Sequence, residues 1–125
     1  MAASELEHIK SLMQGGEFET ALPLLEDITR KEPANWRAFS FLGITYARTD
    51  RLEKAIGAFR RAVQINPKVP SVRYNLGQAC ECAGVPLEAL HEYEEAVRLD
   101  PNYEIATKAY LNLRQKMDAQ SREDR

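Results

Sequence analysis

Cysteine is scarce, tryptophan is single, and the formal net charge over 125 residues is only −2. The two cysteines, Cys80 and Cys82, stand two apart, which on a helix points them about 200° from each other and opposes both a disulfide and shared metal ligation. His8 and His91 add no Cys-x2-Cys or His-x3-His spacing, so no metal set is expected. Cys80 is expected to fill an inner position and Cys82 to lie toward the next helix or an open groove. Without a basic excess, nothing points to nucleic acid. No apolar run approaches the roughly 18 residues of a membrane span, and Met1 to Lys10 lacks the basic start and apolar core of a signal peptide, so no membrane is expected and the cytoplasm is the expected compartment. A Gly-rich phosphate loop, a Gly-x-Ser-x-Gly elbow and a His-Glu-x-x-His helix are all missing. Neither catalysis nor a cofactor is therefore expected.

What the chain does have is a repeat of 34 residues. Leu42-Gly43 returns as Leu76-Gly77. Ala55 matches Ala21 and Ala89, Phe59 matches Leu25 and Tyr93, Ala62 matches Ile28 and Ala96, and Pro67 matches Pro33 and Pro101. A period of this size marks an array in which no unit can bury its apolar face alone and each stacks on the next.

Helical spacing of apolar residues and its punctuation set the elements. Leu6, Ile9, Leu12 and Met13 form one stripe of a first helix over 3–14, with Ser4 as N-cap and Gly15-Gly16 as its stop. The second runs over 17–31 and ends before Pro33. Asn35 caps a third helix that reaches Arg48, Thr49-Asp50 turns the chain, and a fourth spans 52–65. Pro70 opens the fifth, Ala83-Gly84 closes it, and the sixth spans 86–99. A seventh runs from after Asn102 to Met117 as a cap, leaving 118–125 as a polar tail expected to fray. Gly43 and Gly77 sit inside helices, where glycine costs about 1 kcal/mol, so a second helix is expected to approach there, with Ala55 facing Gly43. Glu92, Glu94 and Glu95 read as a solvated face, and Trp36 as packing at the junction of the first two repeats, with a partner anchor as the alternative.

Phe39-x2-Leu42-Gly43-x2-Tyr46, then Ala55-x3-Phe59-x2-Ala62 and Pro67, resembles the tetratricopeptide repeat, a helix-turn-helix unit of this period. Arg73 and Cys80 depart from the pattern in the third repeat, and His8-Ile9 replaces the Leu-Gly pair in the first. The resemblance implies an all-α right-handed helical-repeat solenoid of about seven antiparallel helices. It implies one domain over 1–117, with repeats over 2–35, 36–69 and 70–103 and the capping helix over 103–117.

In such folds the first helix of each pair lines a concave groove. That implies a peptide-binding lining of Leu6, Lys10, Met13, Arg37, Ser40, Ile44, Arg48, Tyr74, Asn75, Gln78, Lys108, Asn112 and Lys116. With Glu81, five basic residues and one acid fall on this lining, opposite in sign to the remainder. Family members that hold the Glu-Glu-Val-Asp tail of chaperones use a Lys and Asn where this chain has Ser40 and Ile44, and a Lys and Arg where it has Ile105 and Ala109; only the middle Asn is matched, by Asn75. That role is disfavoured. The expected function is a non-enzymatic protein-interaction module for a peptide segment with acidic residues. The alternatives are a self-associating scaffold with an empty groove and a regulatory domain serving a separate enzyme chain.

Overall fold

The computed structural model describes residues 2–124, and among them it contains seven helices and no strand. These are α1 (Ala2–Gln14), α2 (Phe18–Lys31), α3 (Trp36–Arg48), α4 (Leu52–Ile65), α5 (Pro70–Cys82), α6 (Pro86–Leu99) and α7 (Glu104–Glu123). The chain divides into two compact units at Pro67 and Lys68. In the first, α1 packs on α2, α2 on α3 and α3 on α4; in the second, α5 packs on α6 and α6 on α7. No helix among the described residues is long and apolar enough to cross a membrane.

Each first helix of a pair ends the same way. Gly16 (φ +79°), Asp50 (φ +60°) and Gly84 (φ +77°) stand 34 residues apart in the left-handed region. The next N–H reaches back over a turn, from Glu17 to the Leu12 carbonyl (2.8 Å), from Arg51 to Tyr46 (2.8 Å) and from Val85 to Cys80 (2.9 Å). At Gly16 and Gly84 the left-handed residue's own N–H adds a second bond, to the Met13 (3.0 Å) and Glu81 (3.1 Å) carbonyls, which completes the double-bonded helix stop. At the opposite end of α3, the Asn35 side chain accepts from the Ala38 N–H. Two boundaries depart from expectation. Helix α1 begins at Ala2, which puts Ser4 inside it rather than at its cap. Helix α7 continues past Met117 to Glu123, so 118–123 is helical and not a frayed tail, with Gln120 Nε2 donating to Asp124 Oδ1 near its end.

The pairs close over the glycines, and a ring makes the nearest contact. Phe59 lies over Gly43, and at Gly77 the carbonyl of Ala89, in the Ala55 column, also comes within 3.3 Å of a would-be Cβ. A Cβ added to Gly43 would meet ring carbons at 2.6 Å, and one added to Gly77 would meet the Tyr93 ring at 2.6 Å. Phe59 and Tyr93 are each 2% exposed. In the first pair the glycine column holds Ile9, itself buried, and the ring column holds Leu25, so a larger residue on one helix is matched by a smaller one on the other.

Polar groups buried with these helices are paired. Arg73 donates to both oxygens of Glu92 (3.1 and 3.0 Å), and the pair is nearly covered, with side chains 14% and 8% exposed. Glu92 therefore belongs to the interior and not to a solvated face. Arg73 occupies the Phe39 column, and its charge is what required a buried carboxylate opposite. The Tyr46 hydroxyl donates to Glu26 (2.9 Å) and that of Tyr93 to Glu81 (2.8 Å). Burial first, then the bond to Glu26, pushes the Tyr46 phenol up to about 12.

Three outcomes are expected from this packing. Gly43→Ala gains up to about 1 kcal/mol of helix propensity and loses about 1–3 kcal/mol by overpacking against Phe59, so it should destabilise. Gly57→Ala, on the exposed side of α4 with open space around it, should stabilise; thermal melts of the two variants check the contrast. Asp50→Gly should stabilise by about 0.5–1 kcal/mol by relieving a left-handed non-glycine residue, read from denaturant midpoints. Since the folded Tyr46 phenol holds its proton above its unfolded value, its contribution is full below about pH 10 and is lost as pH rises toward about 12. Urea midpoints across that window should fall, and should fall less steeply in Tyr46→Phe.

Candidate functional site

On α3, residues spaced by three and four make one stripe: Arg37, Ser40, Ile44 and Arg48. The helix carries no acidic residue at all. Arg37 and Arg48 stand eleven residues apart, roughly 16 Å along the axis at 1.5 Å per residue. Both are exposed, and each guanidinium rests on an aromatic ring. The Arg37 Cζ lies 5.3 Å from the Trp36 ring centre, and the Arg48 Cζ lies 5.0 Å from that of Phe18. Neither makes a hydrogen bond or ion pair among the described residues. A cation on a ring face is held by the ring quadrupole while its N–H edge stays open to an acceptor. Other arginines of this unit are differently engaged: Arg30 bonds Asp27 (2.6 Å), Arg51 bonds Glu19 (3.2 Å), and Arg61 donates to the Pro33 carbonyl (3.2 Å).

Between the two cations Ile44 is half-buried, and Ser40 beside it is 8% exposed. Helix α1, which touches α3, contributes exposed Lys10 and half-buried Met13. Leu6 is only 8% exposed and belongs to the core with Ile9. Within the first unit the structure thus leaves Lys10, Met13, Arg37, Ile44 and Arg48 with surface to offer.

In the second unit the expected lining changes more. Tyr74 is 8% exposed, its ring 5.8 Å from those of both Tyr93 and Tyr103, so it is a packing residue. Burial first, then the Glu81 charge, raises its phenol above the ordinary value. Lys116 pairs with Glu81 (3.6 Å), the same carboxylate that accepts from Tyr93. Its charge is thereby partly offset. Gln78, Lys108 and Asn112 are exposed and Asn75 is half-buried. Gln78, Glu81, Cys82 and Tyr93 line a shallow hollow of about 280 Å³.

What the two arginines rest on was not legible in the sequence. Phe18 and Arg48 lie on different helices, and the packing of α2 on α3 brings them together. The one signal available was the lack of any acidic residue from Trp36 to Arg48.

Comparison with known proteins follows the same lines. The tetratricopeptide repeat family model matches residues 6–70, more than half of the chain. The chain is 36% identical over 70 residues to the tetratricopeptide repeat domain-containing protein PYG7, chloroplastic, of Arabidopsis thaliana, a stretch covering 56% of this chain and 23% of that one. It thus spans only a minor part of the relative's length. Among solved structures, the Sgt2 repeat domain from Aspergillus fumigatus superposes with a TM-score of 0.85 at 20% identity, covering 93% of this chain and 78% of that one. The first repeat domain of Spaghetti (RPAP3), bound to the HSP90 peptide SRMEEVD, also gives 0.85 at 20% identity, covering 90% and 89%. With the period, the paired helices and the family match in agreement, this all-α chain belongs to the tetratricopeptide repeat family.

Proposed function

We propose that the chain is a protein-interaction module whose first unit binds an extended acidic peptide along α3, with Lys10, Arg37 and Arg48 receiving carboxylates and Ile44 and Met13 receiving an apolar side chain between them. The observation that carries this reading is the pair of exposed arginines stacked on Trp36 and Phe18 with their donors unspent, on a helix with no carboxylate of its own. Their spacing of roughly 16 Å matches about five residues of extended chain at about 3.3 Å each. The best ligand therefore carries acidic residues about five apart with an apolar residue near the middle. The second unit, taken by itself, offers Asn75, Gln78, Lys108, Asn112 and Lys116 as proposed polar contacts of its own.

The peptide held by the RPAP3 domain is itself acidic near its end, which agrees with the ligand class. The chaperone tail is not the proposed ligand, because Ser40 and Ile44 stand where the Lys and Asn that hold it would be. Exposed charge pairs contribute about 0–1 kcal/mol each and are screened beyond roughly 8 Å at physiological salt. The arginines should therefore set encounter rate and orientation, and Ile44 with Met13 the lifetime of the complex.

A panel of labelled peptides with acidic residues three, five and seven apart, titrated by fluorescence anisotropy, tests this. The five-residue spacing should bind best, and Arg37→Glu with Arg48→Glu should weaken it by about tenfold or more, mainly through slower association. Arg30→Glu, on α2, should leave it unchanged. Indifference to peptide charge, or an Arg37/Arg48 reversal that binds like the native chain, would move the site off α3.

A further inference from the structure

Helix α7 spans 20 residues where the other six span 13 or 14. Its fully buried members are Ala106 and Leu113, both within the first half, so the last two turns have no core beneath them. A polar helix end without packing has little to hold it.

Along its whole length runs a stripe spaced by alternating steps of four and three: Glu104, Lys108, Leu111, Gln115, Asp118 and Arg122. All six are exposed, Leu111 by 58%, and none has a hydrogen-bond or ion-pair partner among the described residues. Four-three alternation is the spacing that keeps a seam facing another helix.

The charges of this stripe are ordered. Read in chain order they run minus, plus, neutral, neutral, minus, plus. A two-fold axis crossing α7 at Leu113 would set Glu104 against Arg122 of a second copy, Lys108 against Asp118, and Leu111 against Gln115, with every pair made twice. Parallel pairing would set each charge against itself, and a shift of one heptad would break both kinds of ion pair. A self-complementary patch is what an isologous two-fold interface requires.

Leu111 stands in the column of Gly43 and Gly77, where the first pair holds Ile9 buried against a facing helix. It is the one apolar side chain that the stripe offers to a second helix, and a leucine suits the 8–10 Å axial separation of ordinary helix packing.

We propose that α7 is the seam of an antiparallel homodimer, centred on Leu113 and held in register by Glu104–Arg122 and Lys108–Asp118 pairs between copies. It is distinct from the α3 peptide site and shares only Lys108 with the polar contacts proposed on the second unit. A seam with one apolar residue in six gives a weak dimer, with a dissociation constant between about 10 µM and about 1 mM, loosened by salt.

Sedimentation equilibrium over that concentration range decides the matter. The native chain should dimerise. Glu104→Arg alone should set Arg against Arg, and Arg122→Glu alone Glu against Glu, so each should raise the dissociation constant by about tenfold or more. An equal mixture of the two variants should recover the dimer as a heterodimer, and the double variant should recover it as a homodimer. Far-ultraviolet circular dichroism should show unchanged helicity in all of them, since both positions are exposed. A native chain that stays monomeric to about 1 mM, single variants that dimerise like it, or a mixture that stays monomeric would each overturn the proposal. Binding of acidic peptide at Arg37 and Arg48 should be unaffected throughout, which keeps this test apart from that of the peptide site.

Discussion

The approach of an aromatic ring to a helix backbone that lacks a side chain governs the packing of two of the three pairs. With Phe59 over Gly43 and Tyr93 over Gly77, the paired helices lie closer than any Cβ would allow. The rings become fully buried as a result. The small residues Ala55 and Ala89 are buried on the same second helices and keep the remaining turns from holding the pair apart. The first pair reaches a comparable fill by a different route, with Ile9 and Leu25 sharing the volume more evenly. What the repeat maintains is summed volume at a facing position, more than the identity of either residue, which is how well-packed cores tolerate substitution.

Much of the architecture was open to reading from sequence because its causes are local. Prolines after the second helices, glycine or aspartate at the left-handed stop and asparagine at the α3 cap each act within a few residues, so helix ends fall close to where the pattern puts them. The apolar period identified the buried face for the same reason. The end of α7 was misjudged because polarity was taken as a sign of disorder, whereas Gln, Lys, Arg and Glu are good helix formers even where nothing packs on them.

The binding surface was less legible, since exposure depends on neighbours distant in sequence. Tyr74 looks like a ligand contact until Tyr93 and Tyr103 are seen to enclose it. Lys116 counts as a cation until Glu81 is found beside it. Glu92 looks like one of several solvated carboxylates, and only the arrival of Arg73 from α5 explains why it is buried. In contrast, Arg37 and Arg48 gain interest from structure, because aromatic support is invisible in a one-dimensional pattern.

The Arg73–Glu92 pair has a bearing on how such a chain could be rearranged. Repeats of equal length suggest exchangeable modules, shuffled by recombination without loss of fit. Here α3 carries Phe39 in the column where α5 carries Arg73, and α4 carries Ala58 where α6 carries Glu92. Recombining α5 with α4 would bury a guanidinium against a methyl group, and recombining α3 with α6 would bury a carboxylate against a ring. Either leaves an uncompensated charge in the interior, an error on the scale of about 3–5 kcal/mol. Between the second and third repeats the unit of exchange is therefore the helix pair, since a crossover within a pair carries this cost and one between pairs does not.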